Sequence, residues 1–427
     1  MTPEYGKQKK KPFYGIWIVA GGFVLLFLFA GAGFYSFSIF IEPLEETFGW
    51  SRAQISLTMS IYMIIQGIIA PLIGYLTERF GPQKVMTISA LGSGASFVLV
   101  SFTQTLWYFY AGYALLSITT AGIGFIPVSS LLARWFVRRR GTAIGAAMVG
   151  IAAGGLIVTP FVGLLNIHFS WRFSFVFLGL LTWVLSLPIT FFVMKGSPAE
   201  KGLLPDGDAP QSPGVSVASP EGEAASLDGP GQGWPLRAAL KTSSFYWIAI
   251  TFFLAPLAQI GILQHQVPLI VEAGISQATA AVALGLTAGF GGLGKLSFGR
   301  ISEILPFRYA AALCFGLQAF SILILLNARS LFLIWSYVAV FGFSMGGVVV
   351  LFPLAVGQFF GLTAFGVLVG IISMLESFGC SAGAFISGLI YDYLGSYHYA
   401  LIAYFIIYIM SIVTIFLAGK PKPYVKA

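Results

Sequence analysis

The chain has 427 residues, 57% of them hydrophobic and 9% charged, with a mean hydropathy of +0.89. Soluble domains are about 25% charged, so the composition excludes an ordinary soluble protein and points to lipid as the solvent. Phe occurs 40 times and Gly 51 times, the pairing expected where bulky side chains face acyl chains and small ones let helices approach closely. A transmembrane β-barrel does not fit, because its strands would alternate polar and apolar residues instead of running apolar for about 20 at a time.

Apolar runs predict twelve membrane-spanning helices, near 14–38, 54–76, 85–104, 107–133, 142–166, 172–194, 243–269, 278–301, 308–327, 331–356, 364–390 and 397–418. The net charge of +8 raises nucleic-acid binding as a possibility, and the distribution of the basic residues decides against it. With both termini in the cytoplasm, 19 of the 23 Lys and Arg fall on that side, Arg52, Arg172 and Arg329 fall outside, and Lys295 falls within a span. That asymmetry is the positive-inside rule and sets the expected orientation in a cell membrane, plasma or bacterial inner. Lys7, Lys9, Lys10 and Lys11 before an apolar stretch imitate a secretory signal, but the stretch is too long, so it reads as a retained first span.

Between Gly196 and Leu240 the composition changes to seven prolines with Gly, Ser and acids, as in a flexible linker. The expected organisation is an N-terminal six-helix half (1–195), a cytoplasmic linker (196–240) whose last part, 234–241, reads as an interfacial helix, and a C-terminal six-helix half (241–427). The halves repeat one another. GYLTERFGPQK begins at Gly74 and GRISEILPFR at Gly299, an offset of 299 − 74 = 225. The same offset carries Pro43 onto Pro268, Ser51 onto Ser276, and Gly145, Gly154 and Gly163 onto Gly370, Gly379 and Gly388. Two parallel six-span repeats are the plan of transporters that rock one half against the other around a midplane site.

At these residues a family becomes recognisable. Gly74, Glu78, Arg79, Gly81 and Lys84 resemble the loop motif of the major facilitator superfamily, with a weaker echo at Gly299 and Glu303. Glycine permits close helix contact there, and the charged residues at a cytoplasmic helix end can pair across the halves and separate as the protein switches state. Trp135 to Arg140, followed by Ala143, Gly145 and small residues to Gly155, resembles the fifth-helix signature of monocarboxylate transporters, and Tyr14-Gly15-Ile16-Trp17 is a looser match to their first-helix signature. Oxalate/formate antiporter-like proteins share these features. The resemblance implies an all-α membrane protein of twelve helices with the major facilitator fold and a carboxylate porter's activity, in which no cofactor takes part.

Charges placed where charge is expensive are the candidate site. Lys295 lies one turn before Gly299, on a stripe with Thr287 and Gly291 that suits a wet cavity. It reads as a carboxylate-binding cation or as a lysine snorkelling to the interface, and the resemblance favours the first, since monocarboxylate transporters carry a basic residue at this spacing. Glu376, ten residues or so into the eleventh span, shares a face with Ser373, Ser377 and Cys380. It reads as a salt-bridge partner of Lys295, as a proton site, or as a structural hydrogen-bonding group. His265, near Gln259 and Gln266, is a core histidine or a second proton carrier. Tyr113, Trp335 and Tyr337 are candidates for pocket walls, with packing or interface anchoring as the alternative. The family's eighth-helix Asp is Gly291 here, and its first-helix Lys falls at Tyr35, which is therefore also a substrate-site candidate. The motif Gly289 to Gly294 satisfies GxGxxG but lies inside a span with no preceding strand, so it reads as helix packing. The histidines have no neighbours at metal-ligand spacing, which argues against a metal site.

The expected function is proton-coupled transport of a small, lactate-like organic monocarboxylate. Exchange of organic anions in the oxalate/formate manner is the first alternative, and a non-transporting membrane sensor is the second. The chain holds no nucleophile-base pair or metal-binding box that would support an enzyme.

Overall fold

The computed structural model describes residues 13–207, 233–328 and 330–419. Lys7, Lys9, Lys10, Lys11, Arg329 and most of the linker's acids lie outside them. The first half comprises Gly15–Phe48, Arg52–Phe80, Pro82–Ser101, Leu106–Trp135, Arg140–His168 and Trp171–Val193. The second comprises Ser243–Gln264 continued by Gln266–Glu272, then Gln277–Ile304, Phe307–Leu326, Leu331–Phe360, Phe365–Leu394 and His398–Leu417. These are the twelve spans in order.

Among the described residues, eleven helical stretches are long and apolar enough to cross a membrane. The eighth span, Gln277–Ile304, is a continuous helix of 28 residues that reaches about 42 Å, also long enough to cross.

Three spans are interrupted. The first passes from helix Gly15–Gly33 through a tight 3-10 turn, Tyr35–Phe40, to helix Ile41–Phe48. The fourth breaks between Leu106–Ala121 and Phe125–Trp135, around glycines 122 and 124. The seventh breaks at His265. Interruptions inside protein rather than against lipid are the tolerated kind, because the freed backbone groups find partners there. The helix expected over 234–241 contracts to a single turn, Leu236–Ala239. Just before it, the linker returns to the protein: Gly233 bridges to Gly361, and the Trp234 N–H donates to the Phe360 carbonyl at 2.9 Å.

The 225-residue repeat is also a repeat of local structure. Ser51 caps the second span by accepting from the Gln54 N–H at 3.2 Å, and Ser276 caps the eighth by accepting from the Thr279 N–H at 3.3 Å. Thr105 and Ser330, again 225 apart, cap the fourth and tenth through the N–H groups of Tyr108 and Leu333. Each satisfies an N–H that the first helical turn leaves without an internal partner. The ends of the described segments, at Phe13, Gly207, Gly233 and Gly419, lie at one end of the bundle, where the Ser244 hydroxyl donates to the Gly419 carbonyl and the Tyr14 hydroxyl donates to the Val193 carbonyl at 3.0 Å.

Candidate transport site

The two halves meet most tightly at that terminal end, along two seams related by the repeat. On one seam, Gly74 of the second span lies against the backbone of Gly366 in the eleventh; on the other, Gly299 of the eighth lies against Gly141 of the fifth. A β-carbon at any of these positions would collide with backbone, so glycine is required for the approach. Each seam is tied by a carboxylate on the first turn of the opposite half's helix. Glu78 Oε1 accepts from the Val367 N–H at 3.0 Å, and Glu303 Oε1 accepts from the Thr142 N–H at 2.6 Å. Since 303 − 78 and 367 − 142 both equal 225, the two caps are one interaction made twice. A carboxylate there satisfies an unpaired N–H and faces the positive end of a helix dipole.

The basic members of the loop motif behave differently from the expected pairing across halves. Arg79 stays on its own helix, donating to the Tyr75 hydroxyl at 2.8 Å and lying over the rings of Tyr75 and Phe80. Lys84 is exposed. Gly81 makes the turn between the second and third spans at φ 86°, ψ 148°, a left-handed conformation that favours glycine. Its repeat position is Pro306 at φ −53°, which explains why the echo of the motif is incomplete: the second turn runs through a different backbone region. In that echo Glu303 also pairs with Arg300 at 2.8 Å on its own helix.

Away from the terminal end the seams loosen. Gly370 still touches the Ala70 carbonyl, and Gly145 touches the Lys295 carbonyl. Further along, a β-carbon on Gly292 would reach Ala152 only at 3.9 Å, and beside Gly289 and Gly285 nothing lies within 4 Å. The halves therefore form a wedge, closed at the terminal end and open at the other.

At the bottom of the wedge, on the seam of the second and eleventh spans, is a chamber of about 300 Å³. Its polar wall includes Tyr62, Gln66, Ser373, Glu376 and Ser377. Phe29, Phe34, Phe125 and Phe352 face this wall, and the last two stack across the halves with centroids 5.5 Å apart and rings 6° from parallel. Tyr62, Gln66 and Thr120 form one network, with Gln66 Nε2 3.2 Å from the Tyr62 hydroxyl and 3.1 Å from Thr120 Oγ1. Sequence reading missed Tyr62 and Gln66, although their spacing of four on one helix face, with Ala70 a further turn on, was the available signal.

Of the residues singled out from sequence, Glu376 lines this chamber and Lys295 does not. Lys295 lies on the other seam, 7% exposed, its backbone held between Gly145 of the fifth span and Gly346 of the tenth. No ion pair joins Lys295 to Glu376 among the described residues, and neither side chain makes a hydrogen bond there. The salt bridge considered from sequence is thus not formed in this state, because the two residues belong to different seams. Tyr35 is part exposed at the break in the first span, its ring against Gly155. Tyr113, Trp335 and Tyr337 do not line the chamber. Tyr113 packs inside the first half against Phe109 at 4.8 Å, Tyr337 is fully buried against Phe341 at 5.4 Å, and Trp335 packs on the same second-half core. Their helix faces turn into the halves rather than toward the cleft, which apolar composition alone does not reveal. His265 sits at the break in the seventh span, its Nδ1 3.0 Å from the Tyr397 hydroxyl, well removed from the chamber wall. Gln266 Nε2 donates to Thr287 Oγ1 at 2.8 Å, which ties the break to the Lys295-bearing helix.

Comparison with known proteins accords with this architecture. The family model described as Major Facilitator Superfamily matches residues 23–384. An uncharacterized MFS-type transporter, YcxA, of Bacillus subtilis (strain 168) is 25% identical over 390 residues, covering 87% of this chain and 88% of that protein. Monocarboxylate transporter 12 of Rattus norvegicus is 24% identical over 402 residues, covering 89% and 80%. The crystal structure of the human organic anion transporter MFSD10 (TETRAN) superposes with a TM-score of 0.72 at 14% identity, over 95% of this chain and all of that one. With twelve helices in two repeated halves, a cleft between them and a family match across both, the chain belongs to the major facilitator superfamily of membrane transporters.

Proposed function

We propose that this protein moves small, lactate-like organic monocarboxylates together with a proton, by alternating access of the cleft. The observation that carries the reading is Lys295, a buried cation in a membrane helix whose side chain has no ion pair or hydrogen bond among the described residues. Leaving it so costs several kcal/mol unless something anionic binds or the group sheds its charge. Lysine is tolerated at such a place when an anionic ligand completes it. The side chain of a helical residue leans toward the helix N-terminus, which in the eighth span is the open side, so Lys295 is aimed toward the mouth of the wedge. The similarity to a monocarboxylate transporter supports a carboxylate as the anion.

Glu376 is the proton carrier in this reading. It is the carboxyl group that lines the chamber, while His265 is held by Tyr397 away from it. The excess of Lys and Arg in the loops at the terminal end supports a cytoplasmic side there, in a plasma or inner membrane; in this reading the wedge faces outward. Tyr35, beside the break in the first span, lies on the route from the open side. Purified protein in liposomes, offered a panel of carboxylates with and without an inward proton gradient, tests the proposal. Uptake of a lactate-like anion that accumulates with the gradient is expected; transport of uncharged solutes with no response to carboxylates would overturn it.

A further inference from the structure

We propose that the chamber beside Glu376 binds a protonated nitrogen, so that amino carboxylates are substrates whose ammonium group takes the place of the coupled proton. This rests on the carboxylate reading of Lys295 and adds a second charged subsite to it.

Most of the chamber's side-chain hydrogen-bond protons are already committed within the protein. The Thr120 hydroxyl donates to the Leu116 carbonyl at 2.7 Å, so at 3.0 Å from Tyr62 it accepts, and the Tyr62 proton is used. The amide hydrogens of Gln66 are taken by the Tyr62 hydroxyl, Thr120 and the Ser117 carbonyl. Ser377 donates to the Ser373 carbonyl and Ser381 to the Ser377 carbonyl, both at 2.9 Å. What remains on the polar wall is mostly acceptors: the Gln66 carbonyl oxygen and the two carboxyl oxygens of Glu376, with the Ser373 hydroxyl as the one uncommitted side-chain O–H. The wall asks for a donor.

The chamber's other side sharpens the choice of donor. Four phenyl rings, those of Phe29, Phe34, Phe125 and Phe352, line the same space as Glu376. Aromatic rings with a carboxylate and neutral acceptors form a site for an organic cation, whose charge the ring quadrupoles and the carboxylate both attract. Lys, Arg and His are absent from the lining residues, so a carboxylate placed here would meet Glu376 with no compensating charge. The other titratable groups facing this space are Tyr62 from the second span and Cys380 on Glu376's own helix.

Charge counting joins the two seams. Among the described residues, the cation Lys295 and the carboxyl group Glu376 have no ion pair or side-chain hydrogen bond. A simple carboxylate neutralises the first and leaves the second needing a proton. A carboxylate bearing an ammonium group several bonds away neutralises both, and the loaded protein has the same net charge either way. The ammonium therefore replaces the proton at Glu376, which is released to the side from which substrate entered.

The test uses the full chain in liposomes with 4-aminobutyrate and 4-hydroxybutyrate, which match in length and differ in the cationic end. The amino compound should compete at least tenfold better, and an inward proton gradient should raise uptake of the hydroxy compound while leaving that of the amino compound unchanged. In Glu376→Gln the affinity ratio should fall below twofold, and Glu376→Asp should restore part of it. A ratio near one in the unmodified protein, or a ratio that survives in Glu376→Gln, overturns the proposal. Should Glu376→Gln fail to fold, the gradient responses of the two compounds decide alone. Butylammonium, which has no carboxylate, separates the two readings. If it competes in a Glu376-dependent way while neither carboxylate binds, the Lys295 reading fails and the chamber stands; if the carboxylates bind through Lys295 and the amino group brings nothing, the chamber proposal fails alone.

Discussion

In the proposed mechanism Lys295 and Glu376 make different demands on a substrate, and single substitutions separate them. Lys295→Ala should weaken carboxylate binding about 10- to 150-fold, the loss expected for a charge-assisted hydrogen bond of roughly 1.5–3 kcal/mol. Lys295→Arg should retain part of the binding, because the charge survives on a fork of different reach. A normal KM in the Ala variant would remove Lys295 from the site. Glu376→Gln resembles the protonated carboxyl group, so exchange of labelled for unlabelled monocarboxylate should persist while uphill uptake driven by an inward proton gradient disappears. His265→Ala should keep that uptake, since its hydrogen bond to Tyr397 lies away from the chamber; loss of gradient-driven uptake in this variant would move the proton from Glu376 to His265. Both charges were conspicuous in the sequence because charge is rare inside spans. Their separation onto two seams was not, because helix number and depth do not say which neighbour a face meets.

The elements that set the state of the cleft are the ends of the second, fifth, eighth and eleventh spans. Glu78 and Glu303 each tie one half to a helix start of the other. Removing either should favour the state open at the terminal end by about 1–3 kcal/mol, a roughly 5- to 150-fold shift in population. Distance measurements between spin labels across the terminal end, on Glu78→Ala and Glu303→Ala, should show a growing open population in each and a larger one in the double variant. Unchanged distances in all three would mean that backbone packing alone holds the end shut. Gly74→Val and Gly299→Val act on that packing directly, since each places side-chain atoms against the opposite backbone. They should widen the same distances and abolish transport, whereas loss of transport with an intact closed end would assign these glycines another role. The repeat made these four positions legible as equivalents, and the structure adds that the equivalence extends to their contacts.

At the scale of the whole molecule, the wedge and its charges predict the driving force. A monocarboxylate entering with one proton carries no net charge, so a membrane potential, worth about 2.3 kcal/mol per charge per 100 mV, should not drive its uptake. A proton gradient should. Potential-driven uptake at zero proton gradient, measured with an ionophore-clamped liposome, would exclude this electroneutral cycle. The fold behind the prediction was readable from the chain because a bilayer imposes it: spans must be long, apolar and helical, cationic loops stay on one side, and two segments that repeat at an offset of 225 residues must fold into the same half. Ser51, Ser276, Thr105 and Ser330 cap helices through bonds to residues three positions on, so local sequence suffices for them. Which faces meet across the cleft is a different matter. Tyr113 and Tyr337 suited either a pocket wall or packing from sequence and are buried in the core, while Tyr62 and Gln66 looked ordinary and line the chamber. Nearly every face of a membrane helix is apolar, whether it touches lipid, a neighbour or the cleft, so the hydrophobic pattern that orients a soluble helix carries little information here. Only the packing of the two halves, glycine against backbone along paired seams, decided which polar groups share a space.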